Sequence, residues 1–149
     1  MSYYLCLSVP KAASEVLRGA FDEKVWFTDA DATPIGRATC GRISECRPVL
    51  LQTGIGSASL VGKAAARRTH NNDHTGLFVS GLDRLLNSGK CDQLAFLLHW
   101  FSGYITTEEV RVTDVRTVAE SKLLATVLTT EEDVRYVVSA IVAEAWWRR

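Results

Sequence analysis

The segment Pro48–Ala66, PVLLQTGIGSASLVGKAAA, decides the fold class. Pro48 to Gln52 is apolar with no polar alternation, which predicts a strand covered on both faces. Thr53-Gly54-Ile55-Gly56-Ser57 follows at once and predicts a tight turn, because glycine reaches dihedrals closed to other residues. Leu60, Val61, Ala64 and Ala65 then recur at helical spacing, with Ser57 or Ser59 able to accept a first-turn N–H. Strand, glycine turn and helix in this order form the building unit of an α/β domain.

Working outward, Tyr3 to Val9 is rich in β-favouring side chains and predicts a first strand, with Pro10 opening a helix that carries Val16, Leu17, Ala20 and Phe21. Val25 to Thr28 predicts a second strand. Pro34, Gly36 and Gly41 among polar residues predict a loop or irregular hairpin over 29–47, with Arg37 to Thr39 as a short strand. Leu77 to Val79 predicts a buried strand closed by Ser80-Gly81, and Asp83 to Asn87 one helical turn. Leu94 to Phe101 and Val110 to Val118 predict two more strands, the second more polar and so nearer an edge. Ala119 to Leu128 fits helix or strand. Thr130 with Asp133 resembles a capping box, and Val134, Val137, Val138, Ile141, Val142 and Ala145 predict a long final helix. The expected architecture is α/β in three layers, a mainly parallel or mixed sheet with helices on both faces, forming one domain over 1–149.

Composition narrows the function classes. Of the 149 residues 47% are hydrophobic, enough for a packed core without staples. Lysine plus arginine number 17 and aspartate plus glutamate 17, so no global field draws in nucleic acid or an anionic membrane. No apolar run approaches the ~20 residues that span a bilayer, and no export signal opens the chain. A cytoplasmic protein is expected, with no nucleic-acid or membrane partner. Cys6, Cys40, Cys46 and Cys91 lack metal-site spacing, and in a reducing compartment Cys40 and Cys46 are expected as free thiols without a disulfide.

The LLQTGIGSASLVGKAAA stretch resembles the strand, TGIG turn and helix of the nucleoside phosphorylase and nucleosidase family, which includes the adenosylhomocysteine and methylthioadenosine nucleosidases. Ser14-Glu15-Val16 is similar to that family's early glutamate-bearing helix start. Leu77 to Leu82 resembles its strand ending in a second glycine turn, Gly89 to Leu94 its next segment, and Val115 to Leu124 a later one. The resemblance implies binding of a purine nucleoside or phosphate, with cleavage of the N-glycosidic bond by water or phosphate as the associated hydrolase or transferase chemistry. It implies that Gly54, Ile55, Gly56 and Ser57 hold phosphate or ribose, that Gly81 lies near the base, and that Glu15 orders or activates water. It implies no cofactor and no metal. No late Met-Glu pair is present to hold the ribose hydroxyls, and no terminal Ser-Asp segment to protonate the leaving base, so the resemblance assigns no general acid. A non-catalytic ligand-binding or interaction domain of the same fold stays open beside it.

His70 and His74, four apart around Asp73, lie in a turn-like polar stretch and read as an exposed loop rather than a metal site. His99 lies in an apolar run and reads as a core or edge histidine. Trp146, Trp147, Arg148 and Arg149 offer an aromatic, basic surface through which the final helix can join copies in a homo-oligomer.

Overall fold

The first strand, β1 (Ser2–Pro10), sets the sheet. Leu5, Leu7 and Val9 point to one face and Cys6 and Ser8 to the other, and all five are fully buried. A strand covered on both faces has no reason to alternate apolar with polar, which is why this run looks continuous. In the computed structural model, residues 2–43, 45–54, 60–61, 74–101 and 110–139 are described. Both edges of β1 are paired antiparallel, with β3 (Cys46–Gln52) on one side and β4 (Gln93–Phe101) on the other. Leu5 thereby stands between Leu51 and Leu98, and Leu7 between Val49 and Phe96. The full order is β2-β3-β1-β4-β6-β5, with β2 at Trp26–Asp29, β5 at Asp114–Ala119 and β6 at Val134–Ser139. Among the described strands only β5 and β6 run parallel, so of the two arrangements left open by the sequence the sheet is the mixed one.

Helices cover both faces. On the thick side lie α1 (Ser14–Ala20), α3 (His74–Leu86) and α4 (Leu123–Leu128), giving a core of Leu17, Phe78, Leu82, Leu85 and Val127 against the odd-numbered side chains of β1. Four rings cross this core in sequence. Phe21 stacks on Phe78, Phe78 meets Phe96 edge to face, and Phe96 stacks on Tyr136, with centroids 6.2, 5.5 and 5.2 Å apart. On the thin side α2 (Pro34–Cys40) lays Ile35 over Cys6, Leu50 and Leu97. No helix among the described residues is long and apolar enough to cross a membrane.

Three stretches fold differently from expectation. Residues 34–40 are helical, not loop or strand: the Thr33 hydroxyl accepts from the Gly36 amide at 3.1 Å and Pro34 occupies the first turn, where its missing N–H costs nothing. Residues 77–82 belong to α3 rather than to a strand and glycine turn. Gly81 sits mid-helix because Phe21 lies where a side chain would be, 2.2 Å from an ideal Cβ. Residues 134–139 are the strand β6, buried on both faces between β4 and β5. Valines at 134, 137 and 138 satisfy helical spacing, but their β-branching suits a pleated, covered surface better. Thr130 ends α4 instead of starting a helix, its hydroxyl donating to the Val127 carbonyl at 2.9 Å, and Asp133 turns the chain at φ +58°. The tail 140–149, with the surface expected there, lies outside the described residues.

Helix ends are closed by arginines reaching from other elements. Arg84 of α3 donates to the Ala20 carbonyl at the end of α1, at 2.9 Å. Arg135 of β6 crosses under α2 and donates from Nε to the Thr39 carbonyl (2.7 Å) and from Nη2 to the Cys40 carbonyl (2.8 Å). Terminal carbonyls lack partners within their own helix and carry partial negative charge, so a guanidinium fork answers both needs. Gly41 makes room, since a Cβ there would lie 2.7 Å from Arg135 Cζ. Cys40 and Cys46 are joined in a disulfide with their Cα atoms 5.8 Å apart, which corrects the expectation of free thiols: α2 exists, and its last residue comes to rest beside the first residue of β3. At the opposite margin Arg116 of β5 pairs with Asp114 (3.1 Å) and Glu131 (2.7 Å).

Two glycines of α3 should respond to alanine with opposite signs. Gly81→Ala forces the Phe21 ring aside and should destabilise by about 1–3 kcal/mol in urea unfolding. Gly76→Ala meets nothing within 4 Å, is exposed, and should stabilise by up to about 1 kcal/mol.

Candidate functional site

Antiparallel pairing places the end of β1 beside the starts of β3 and β4, with Pro10 opposite Cys46 and Ser8 opposite Ala95. Three loops converge there. Pro10 leaves β1 at φ −60° and ψ 147° into a single 3₁₀ turn, Lys11–Ala13, and then α1. Ser88 closes α3 through the Leu85 carbonyl (2.7 Å) and accepts from the Lys90 amide (3.2 Å), while Gly89 turns at φ +78°. The Glu45 carbonyl accepts from the Lys11 amide at 2.7 Å, tying the approach to β3 against the exit of β1.

Two neighbouring hollows form at this end and share Glu15 as a wall. The larger, about 800 Å³, is lined by Pro10, Lys11, Ala12, Glu15, Gly89, Lys90 and Asp92. The smaller, about 360 Å³, is lined by Ser14, Glu15, Arg18 and Arg47. Four cations therefore face two carboxylates, a positive local balance on a chain with no net charge. Lys11, Arg18 and Lys90 are exposed and Arg47 half-buried, its guanidinium 6.0 Å from the Phe27 ring centroid. A guanidinium over an aromatic face is steadied there by the ring quadrupole. The small hollow thus offers a planar bidentate donor from a sheet strand and a second from a helix, a geometry that suits carboxylate or phosphate oxygens.

Of the expected site residues, Glu15, Gly54 and Gly81 are described, and these three do not line one hollow. Glu15 stands at this end. Gly54 follows Gln52, the last residue of β3, and Gln52 is six residues from Cys46, or roughly 20 Å along an extended strand. Gly54 is exposed and a Cβ there would meet nothing within 4 Å, so no close approach requires a glycine at that position. Gly81 is buried in α3 against Phe21. Ile55, Gly56 and Ser57 lie outside the described residues, as does most of the helix expected after them. His74 begins α3, and His70 is outside the described residues. Lys11, Arg18, Arg47, Lys90 and Asp92 escaped sequence reasoning because they come from separate loops and elements and share no spacing.

A second polar pair lies at the far end of the sheet. His99 of β4 is buried, and its Nδ1 meets Asp133 Oδ1 at 2.5 Å. The two stand across from each other where the β4–β6 register continues past Leu97 and Arg135. The Asp133 carbonyl also accepts from the Thr113 amide at 3.0 Å. These bonds fix the turn into β6, consistent with a histidine built into the sheet. Among the described residues, no three His, Cys, Asp or Glu side chains gather in a group that could hold a metal ion.

The two unbridged thiols are buried and inert. Desolvation pushes Cys6 up to about 12, only partly offset by Thr39, Ser8 and the Val49 backbone. Desolvation and the neighbouring Asp92 charge push Cys91 up to about 11, only partly offset by a hydrogen bond from the Gln93 backbone. Neither is a nucleophile at neutral pH. Comparison with protein-family models, curated proteins and solved structures finds no match to the chain.

The raised thiol values carry a stability consequence. An unfolded thiol near 9 loses its proton before the folded Cys91 does, so stability is fully present below pH 9 and lost as pH rises toward 11. Cys91 should contribute a fall of about 1.4 kcal/mol per pH unit across that window. Urea unfolding of Cys91→Ala should show a shallower alkaline decline than the parent chain. Equal slopes would mean that the thiol does not stay protonated in the fold.

Proposed function

We propose that the protein is a small-molecule-binding domain that takes an anionic, phosphate-bearing ligand of the nucleoside class in the paired hollows around Glu15. One observation carries the proposal: Arg18 from α1 and Arg47 from β3 line one hollow with the glutamate beside them. Arg47 and Arg18 supply donors to the phosphate oxygens. Lys11 and Lys90, across Glu15, add charge from the larger hollow, whose volume of about 800 Å³ falls in the range of ligand pockets. Glu15 borders both spaces and can accept from ligand hydroxyls. The nucleoside part rests on the resemblance of the TGIG stretch alone.

Binding without turnover is favoured over N-glycosidic cleavage. Cleavage as the resemblance implies it needs Glu15 and the glycine turn at one sugar, and β3 carries Gly54 away to the other end of the sheet.

Calorimetric titration with inorganic phosphate and with adenosine monophosphate tests this reading. Arg47→Ala and Arg18→Ala should each weaken binding by roughly tenfold or more, the scale of a charged hydrogen bond. Glu15→Gln should tighten it by removing a like charge, and Arg116→Ala at the far margin should change nothing. Affinity should fall with added salt, because the donors are near solvent. Absence of binding to either probe would sink the proposal. Release of free base from nucleosides, abolished by Glu15→Gln, would replace binding with catalysis.

A further inference from the structure

We infer that the Cys40–Cys46 disulfide is a reversible, redox-sensitive clasp that holds Lys11 and Arg47 in place at the hollows. Cys40 is the last residue of α2 and Cys46 the first of β3, and Cys46 lies opposite Pro10 in the sheet. The bond therefore closes a short bridge whose far side touches the hollow: Glu45 accepts from the Lys11 amide, and Arg47 follows Cys46 directly. The consequence for ligand binding rests on the anion-site proposal above, whereas the clasp itself does not.

Three features make the bond a switch rather than a buried strut. Both cysteines are only half-buried, so a small thiol can reach them. The other two thiols are fully covered and protonated, which confines exchange to this pair. The bridge also holds a conformation it must be held to keep. Glu45 has φ +47°, a left-handed backbone that a residue with a side chain rarely adopts without restraint. Opening the bond does not release α2, whose end keeps the Gly41 amide on the Arg37 carbonyl and Arg135 on the carbonyls of Thr39 and Cys40. What relaxes is Glu45, and with it the bond to Lys11.

The chemistry balances with a dithiol as reductant. One thiolate of the dithiol attacks a sulfur of the disulfide and expels the partner cysteine as thiolate, which takes up a proton. The second thiol of the reductant then resolves the mixed disulfide. Two electrons pass to the protein, which gains two thiols, and the reductant leaves as a cyclic disulfide.

The full chain, oxidised, is treated with dithiothreitol under native conditions, alkylated with iodoacetamide and weighed. Two added groups are expected, rising to four only after denaturation. Hydrogen exchange at the Lys11 amide should accelerate by at least tenfold on reduction while the central amides of β4 stay protected. Reoxidation should restore slow exchange. A chain carrying Cys40→Ser and Cys46→Ser together should match the reduced form. If that variant does not fold, the oxidised and reduced parent chain decides by itself. A disulfide that yields only when the whole chain unfolds would overturn the clasp, as would reduction with Lys11 exchange unchanged. Phosphate titration of both forms separates the two proposals. Weaker binding after reduction supports the coupling and equal binding overturns it. Absence of binding in both forms overturns the anion site and leaves the exchange result to decide the clasp.

Discussion

The structure depends on burying the centre of β1. From Leu5 to Val9 its side chains are covered above and below, and from Leu5 to Ser8 its backbone is paired on both edges, as a strand cut off from water requires. That double constraint requires two layers of helix and two flanking strands, and it fixes the register of each. A slip of one residue would carry Leu5, Leu7 and Val9 to the thin side, where α2 has room for Cys6 and Ser8. The antiparallel neighbours follow, and with them the gathering of Pro10, Arg47 and Asp92 at a single end of the sheet.

The two faces solve burial differently. The thick side uses apolar volume, with the four aromatic rings running from Phe21 to Tyr136. Among the described residues the thin side has one short helix, and a charged residue completes it. Burial lowers the pKa of Arg135, yet its guanidinium is answered by two helix-end carbonyls. A seven-residue helix is marginal alone, since few of its hydrogen bonds lie within it. α2 is therefore held at each terminus from outside its own turns, by Thr33 at the start and by Arg135 and the disulfide at the end.

Much of this order was legible in the amino-acid sequence. The strands β1, β3 and β4 declare themselves as covered runs, β5 as a polar edge, and Pro10 as the opening of a helical segment. The failures share a cause: local pattern cannot tell what a segment packs against. Valines in β6 match a helical stripe as well as a strand buried on both faces, and only the presence of β4 and β5 decides. Leu77-Phe78-Val79 looked like a strand for the same reason. Gly81 looked like a turn because its true partner, the Phe21 ring, is distant in sequence. Thr33-Pro34 did carry a helix-start signal, masked by Gly36 and Gly41. The candidate site was legible only at Glu15, since the cations around it come from separate parts of the chain and meet through topology alone.

The margins of the sheet are unlike its centre. β2 is four residues long, and β5, the outer strand on the other side, carries Asp114 and Arg116 with Glu131 beside them. An outer strand with free amides and carbonyls is a template on which another copy can add itself. A very short edge gives such a copy little to grip, and fixed charges on the other must be stripped of water before a neighbour can dock. The ion pairs of Arg116, exposed and of small worth to folding, thus put fixed charge along this strand, which raises the cost of docking another copy there.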